Sequence, residues 1–407
     1  MTGSLYLEKM INANIREYGN RYNLLTFLDE EEISIAIKER ESLLAWLSCN
    51  ASIGCAGTKV DCSGLSPGCL ECTEGGWSCL FVNGRCNGRC FYCPTSQDDD
   101  GPPLTNGIIF TEPADYAAYL EYFGFSGASI SGGEPLLVPE LSISFLEAAR
   151  ERCGDKIHLW MYTNGTMLTK DLCNRLRDAG LDEIRFDLGA VRYNLKKLRL
   201  ATGIIPTVTV EIPAVPEDEE LMKLKIPEMK EAGVNHLNLH QLRLTPHNLP
   251  QFLERGYRFI HGEKITVPDS ELSALRLVKH SIQYEAGLPV NYCSFPYKRR
   301  FQHAAARRRA ALTVCAKGES VTESGYLRIL SSNSVRYCEA VILQQPSYRS
   351  PFDKISLSTG RPLYIERRPV TAEIAVGSEQ LAAFENGLFP AEVAEFELIE
   401  AGLAPYF

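Results

Sequence analysis

Between Trp77 and Leu244, six short runs rich in β-branched or apolar residues recur: WSCLFVNG (77–84), GASIS (127–131), KIHLWMYTN (156–164), DEIRFDLGA (182–190), TVTVEIPAV (207–215) and HLNLHQLRL (236–244). Helix-like stretches such as EPADYAAYLEYFG (112–124) and TKDLCNRLRDAG (169–180) separate them. Strands that alternate with helices pair in parallel, because each helix carries the chain back across the sheet. The expectation is therefore an α/β fold whose parallel sheet is open or curled into part of a barrel. In such sheets chemistry collects at the C-terminal ends of the strands.

The flanks read differently. Residues 1–48 are helical in pattern, and DEEEISIAIKERESLLAWLS opens with Asp29 as an N-cap and acids in its first turn. From Cys49 to Trp77 the chain turns to Gly, Ser, Pro and Cys, where little regular structure is expected. The βα pattern breaks at NYCSFPYKRRFQHAAARRR, and the remainder, with GYLRIL and SEQLAAFENGLF, suits a small α/β domain. Three units follow: 1–84, with helices and a cysteine-rich loop; 85–295, the βα series; and 296–407.

A chain of 407 residues, 45% of them hydrophobic, has ample material for a core. Its net charge of −9 predicts no broad attraction to nucleic acid or anionic lipid, and it disfavours acidic substrates. No apolar run reaches the length of about twenty residues that a bilayer requires, and the N-terminus mixes charges into its apolar positions. A cytoplasmic protein is expected. Nine of the 14 cysteines fall between Cys49 and Cys93, which in a reducing compartment points to metal binding.

Three of those nine, Cys86, Cys90 and Cys93, have the spacing C-x3-C-x2-C and follow the first strand. Three thiolates hold three irons of a 4Fe-4S cube and leave the fourth iron open to a ligand. A zinc knuckle, the competing reading, wants four ligands in paired C-x2-C units. The motif, with Phe91 and Tyr92 before the last cysteine, resembles the radical S-adenosylmethionine (SAM) superfamily over residues 78–295. That resemblance implies a partial (β/α)6 TIM-like barrel and a cluster whose open iron chelates SAM. It also implies a SAM site at Tyr92, at Gly132-Gly133-Glu134 after the second strand, and at Thr163-Asn164 after the third. Asp187, Glu211 and Gln241 on later strands point to the same mouth. Tyr18 and Tyr22 are candidate phenolate ligands to the open iron when SAM is absent, although two packing tyrosines on a helix is the favoured reading.

Upstream, C-x6-C-x2-C-x6-C sets Cys62, Cys69, Cys72 and Cys79 as a tetrathiolate site for iron or zinc, with Cys49 and Cys55 as substitutes. The two motifs in tandem resemble the methanogenesis-marker arginine C-methyltransferases that act on methyl-coenzyme M reductase. Such enzymes are implied to carry a 4Fe-4S cluster, SAM, a mononuclear iron in the cysteine loop, and cobalamin in the C-terminal domain. They are also implied to need an electron-donating reductase and a protein substrate. A 5′-deoxyadenosyl radical would abstract hydrogen from arginine C5, and methylcobalamin would supply the methyl group. The D-x-H-x-x-G pattern that often ligates cobalt is missing: none of the seven histidines fits it. Two rivals remain. KRRFQHAAARRR (298–309) could bind RNA, but its basic triplets spread around a helix. A non-catalytic iron-sulfur carrier would have no use for a SAM site.

Overall fold

The computed structural model describes residues 2–61, 64–331, 333–371, 373–375 and 396–397. Seven strands run parallel and pair in chain order: β1 (Trp77–Arg85), β2 (Gly127–Gly132), β3 (His158–Thr163), β4 (Glu183–Phe186), β5 (Thr207–Pro213), β6 (His236–His240) and β7 (Val290–Cys293). The first six fall on the six expected runs. The seventh lies at the start of the stretch where the sequence pattern breaks, so the parallel series is one strand longer than predicted. Strand β1 crosses the boundary expected at residue 84.

The barrel is not closed. At the β7 edge a hairpin, Ser52–Gly54 and Lys59–Asp61, adds antiparallel. Beyond β1 lie the antiparallel pieces Leu104–Thr105 and Ile108–Ile109. Both edges are thus occupied by short strands, which leaves only short hydrogen-bonding templates exposed.

Alternation along each strand divides outside from inside. Ile130, Leu159, Met161, Ile184, Val208, Val210, Leu237 and Val290 point outward into the main hydrophobic core beneath the helices. The opposite parity supplies Ser131, Tyr162, Arg185, Asp187, Glu211, Asn238, His240 and Cys293, which line a lumen. Barrels of this kind commonly pack the interior with branched apolar side chains. Here it is polar and hollow.

The second long helix, Glu30–Ser48, which follows the helix Thr2–Tyr18, begins at Asp29 in a reciprocal capping box: Asp29 accepts from Glu32 N at 2.9 Å, and Glu32 accepts from Asp29 N at 2.9 Å. Such a cap stabilises by about 1 kcal/mol. The cysteine-rich loop is more ordered than its composition predicts. Besides the hairpin it holds a two-turn helix, Pro67–Thr73, with Ser66 as N-cap and Pro67 at the first position. Residues 303–314 form a helix entered through a π-helical turn, Tyr297–Gln302. After it, six antiparallel strands between Glu319 and Ala375 make a separate sheet, which includes the expected GYLRIL strand. Leu363 of that sheet, and Leu357 just after the strand Phe352–Ser356, join the barrel's core. The expected helix SEQLAAFENGLF lies outside the described residues. Among the described residues no helix is long and apolar enough to cross a membrane.

Candidate active site

Strand β1 delivers the chain to Cys86, and the loop bearing the three cysteines closes where Arg85 pairs with Asp98. Cys86 N donates to Gln97 O at 2.9 Å and Cys93 N to Cys90 O at 3.1 Å, so the loop is a compact turn. Gly88 sits between two of the sulfurs: its N–H points at Cys86 Sγ (3.2 Å), and a Cβ there would lie 3.3 Å from Cys86 Sγ and 3.8 Å from Cys90 Sγ. All three cysteines face a cavity of about 600 Å³ that runs down the lumen, within the size range of small-molecule sites.

The ends of β2 and β3 are bolted together beside this loop. A side chain on Gly132 or Gly133 would overlap the backbone oxygens of Asn83 or Arg85, so only glycine lets β2 approach β1 this closely. Glu134 is buried. Its Oε1 accepts from Leu136 N (3.0 Å) and Thr163 Oγ1 (2.7 Å), and its Oε2 accepts from Asn164 N (2.7 Å). Of roughly four acceptor positions on a carboxylate, three are filled. The residues expected to bind SAM at Glu134, Thr163 and Asn164 are therefore one hydrogen-bonded unit, with a single acceptor position left over. Asn164 Nδ2 donates to Asn87 Oδ1 at 2.8 Å and lies 3.8 Å from Cys86 Sγ, tying this unit to the cysteine loop.

Tyr92 and Asp187 also meet. Tyr92 OH donates to Asp187 Oδ1 at 2.7 Å, Gly189 N donates to the same oxygen at 3.1 Å, and Cys90 Sγ lies 3.8 Å from Asp187 Oδ2. Burial, with Asp187 beside it, pushes the Cys90 thiol up to about 12, and burial also raises Cys86. A thiolate in such surroundings requires a cation, and iron supplies one. The triad, the glycine cradle and the N–H directed at sulfur fit a thiolate-bound cluster. The buried Gln241 Nε2 and Asn238 Oδ1, which lack partners while lining the cavity, fit a polar ligand beside it.

Deeper in the lumen the picture changes. Arg185 Nε meets Glu183 Oε1 at 2.8 Å and its Nη1 meets Glu211 Oε2 at 2.6 Å. Glu211, expected at the SAM site, thus lines the cavity but gives its carboxylate to Arg185. Gly68 N donates to Glu183 Oε2 at 2.9 Å and Arg185 donates to Ser66 Oγ at 3.1 Å, so the helix Pro67–Thr73 plugs the N-terminal end of the barrel. Glu183 and Arg185 occupy alternate positions of the buried strand β4 and Asp187 the first residue after it, and that run of three charges at period two was the sequence signal for them.

The helix brings Cys69 and Cys72 to the floor of the cavity, where Asn238 Nδ2 lies 3.1 Å from Cys69 Sγ. Cys79 lies on β1, and Cys62 lies outside the described residues. Among the described residues no three His, Cys, Asp or Glu side chains converge on a point where one metal ion would be held. Tyr22 packs at a tilt against Phe27 and bonds His261 Nε2 at 3.3 Å; with the buried Tyr18 it belongs to a hydrophobic cluster that includes the cavity-lining Tyr92 and Leu242. On the floor, Lys59 Nζ lies 3.2 Å from Cys293 Sγ and 3.1 Å from Asn291 Oδ1, a pairing no local motif announced.

Residues 80–203 match the family described as the Radical SAM superfamily. A protein of Methanocaldococcus jannaschii named as a glycyl-radical enzyme activating enzyme is 28% identical over 275 residues, which cover 65% of this chain and 72% of that protein. GTP 3′,8-cyclase of Campylobacter curvus is 30% identical over 197 residues, 48% of this chain and 58% of the cyclase. The cyclase of Campylobacter jejuni is 28% identical over 175 residues, 39% and 54%. The chain spans just over half the length of these cyclases. Among solved structures, the radical SAM methyltransferase TsrM from Kitasatospora setae, with cobalamin and a 4Fe-4S cluster bound, aligns over 44% of this chain and 39% of its own, at TM-score 0.33 and 16% identity. Streptococcus suis SuiB bound to precursor peptide SuiA aligns over 53% and 47%, at TM-score 0.39 and 15% identity. Likenesses of that size carry no argument about function.

Proposed function

We propose, from the match of residues 80–203 to the Radical SAM superfamily, that the chain is a radical SAM enzyme that methylates an sp3 carbon, C5 of a peptidyl arginine in the α subunit of methyl-coenzyme M reductase. The observation that carries the reading is the cysteine triad at the mouth of a lumen of about 600 Å³ whose walls are polar and whose far end is plugged. A carbon that bears no acidic proton must be attacked by a radical, and an enclosed lumen limits what else that radical can meet. When bound, the cluster and SAM supply hydrogen abstraction, and methylcobalamin supplies the methyl group.

The chain's own residues have distinct tasks in this reading. Cys86, Cys90 and Cys93 hold the cluster, and Gly88 and Asn164 shape the pocket around their sulfurs. Glu134, Thr163, Asn164, Tyr92 and Asp187 form the wall where SAM sits, with Gly132 and Gly133 allowing that wall to close and Gln241 bordering it. The plug with Glu183, Arg185 and Glu211 seals the floor. Cys62, Cys69, Cys72 and Cys79 are proposed as ligands to a single iron or zinc, although the three described do not converge and no step is assigned to that metal. Cobalamin is supported by the resemblance of the cysteine-rich segment; residues 304–407 contain no histidine to reach cobalt. A reductase is the proposed electron source, and neither nucleic acid nor membrane is a proposed partner.

The test is anaerobic incubation of the reconstituted, cobalamin-loaded protein with reductant, SAM and a peptide containing the target arginine. 5′-Deoxyadenosine together with a peptide heavier by one methyl group is expected. 5′-Deoxyadenosine without methylation overturns the methyl transfer. One specific observation favours a second reading, the 28% identity over 72% of the Methanocaldococcus protein: hydrogen abstraction from a glycine of a partner enzyme. A glycyl radical seen by electron paramagnetic resonance on such a partner would select it.

A further inference from the structure

The cavity wall beyond β6 and β7 carries three cations that no carboxylate contacts among the described residues, although Glu17 near Arg243 and Glu211 near Lys298 act on them from farther off. Arg243 follows β6, Lys298 and Arg299 belong to the π-helical turn after β7, and all three line the cavity. Among the described residues no carboxylate pairs with any of them, whereas the next residue, Arg300, pairs with Glu263. The guanidinium of Arg243 lies over the Phe295 ring at 5.3 Å, and Arg299 Nη1 reaches only His303 Nδ1 at 3.5 Å. The mutual repulsion shows in the neighbours. Burial, then Arg299, lowers Arg243 from its ordinary value; burial, then Arg299, pushes His303 down to about 4; burial, then Lys298, pushes His240 down to about 3.

An independent feature of the same wall points to a ligand. Gln241 is 4% exposed, and its Oε1 accepts from Phe295 N at 3.0 Å. That bond fixes the amide's orientation, so Nε2 is a committed donor, and it has no acceptor. A buried donor without an acceptor and a half-buried guanidinium without a contacting carboxylate are costly unless an anion reaches them. The carboxylates on the other walls are already committed: Glu134 to β3, Asp187 to Tyr92, and Glu211 to Arg185.

We propose that Arg243, Lys298 and Arg299, with the Gln241 amide, form a subsite for a carboxylate carried by the peptide substrate close to the residue that reacts. The proposal rests on the peptide reading given above and deepens it. A substrate guanidinium entering alone would meet three cations, and an accompanying acidic side chain offsets them. The net charge of −9 disfavours acidic ligands over the whole surface, but at contact distance the local wall outweighs a field screened beyond about 8 Å.

The test uses the full chain with its cluster reconstituted, anaerobically, with SAM present. Fluorescence anisotropy follows a labelled peptide around the target arginine of methyl-coenzyme M reductase, in its natural form and in a form with every side-chain carboxylate converted to the carboxamide. The natural form is expected to bind roughly tenfold more tightly. Arg243→Gln and Lys298→Gln each shrink that ratio towards one without changing the amide form's affinity, and Arg243→Lys restores part of it. Thermal melts identify any variant that has failed to fold, and Arg299→Gln, at the most exposed of the three, then takes its place. Equal binding of the two forms by the wild type overturns the proposal. So does a variant that loses SAM affinity instead, since the cations would then serve the SAM carboxylate. Inorganic pyrophosphate that binds in an Arg243-dependent way while neither peptide does assigns the wall to a phosphate and also overturns it. Acid-dependent binding without methylation sinks the arginine reading and leaves the subsite standing; methylation without acid dependence does the reverse.

Discussion

Replacing Arg185 by methionine removes the cation from a buried network and leaves two carboxylates facing each other. The Arg185 side chain is 1% exposed, Glu183 is 0% and Glu211 is 18%. Two ion pairs, at 2.8 and 2.6 Å, disappear together with the bonds to Ser66 and Tyr162. Deleting one partner of such a set costs about 3–5 kcal/mol, because the surviving carboxylates stay buried without their counter-ion, and Glu183 keeps only His158, Thr209 and the Gly68 N–H. For a chain of this size that corresponds to a fall in melting temperature of roughly 6–10 °C, at about 2 °C per kcal/mol. Differential scanning fluorimetry under anaerobic conditions measures it.

Two further arms test the reasoning behind that number. Arg185, His158, Thr209 and the Gly68 N–H hold the Glu183 carboxyl well below its ordinary value despite burial. A carboxyl whose folded pKa is depressed gives stability that is complete above its unfolded value, about 4.3, and is lost as pH falls through the folded one. Without Arg185 the folded value rises above the unfolded one, so acid then favours the native state. The gap between wild type and Arg185→Met should therefore narrow from pH 7 towards pH 4. The triple variant Glu183→Gln, Arg185→Met, Glu211→Gln should recover part of the loss. A single variant that melts within about 1 °C of wild type, or a triple that melts below the single, would refute the argument that stranded carboxylates set the cost.

Changing Cys86, Cys90 or Cys93 to alanine should abolish the visible charge-transfer absorption of the cluster and the formation of 5′-deoxyadenosine, while the melt shifts little because none of the three is in the buried core. Gly88→Ala places a methyl group 3.3 Å from Cys86 Sγ and should lower iron content per chain without eliminating it. Tyr92→Phe deletes the 2.7 Å bond to Asp187, whose carboxyl burial already raises; a loss of about 1–3 kcal/mol in stability is expected, together with weaker SAM binding by calorimetry. Glu134→Gln sets a donor against the Leu136 N–H or the Asn164 N–H, and it should reduce SAM affinity more than it lowers the melting temperature.

Strand alternation, the cysteine triad, the glycine-rich end of β2 and the Asp29 cap were legible in the chain because each is written within a window of a few residues. Hydrophobic runs of the right length form strands, helices between them enforce parallel pairing, and three thiols seven residues apart from first to last face one another in a single turn. The seventh strand escaped notice because VNYC is only four residues long and its apolar pattern is no different from that of a loop. Which polar residues meet inside the barrel was decided only by tertiary structure. Gly68 reaches Glu183 across 115 residues and Lys59 reaches Cys293 across 234. Parity placed Arg185 and Glu211 on the inner face, but curvature of the sheet determined that they pair with each other and left Arg243, Lys298 and Arg299 with no contacting carboxylate among the described residues. Local periodicity is a property of the backbone and is carried by sequence order; the balance of charge in a cavity is a property of distances between strands, which exist only once the sheet has curled.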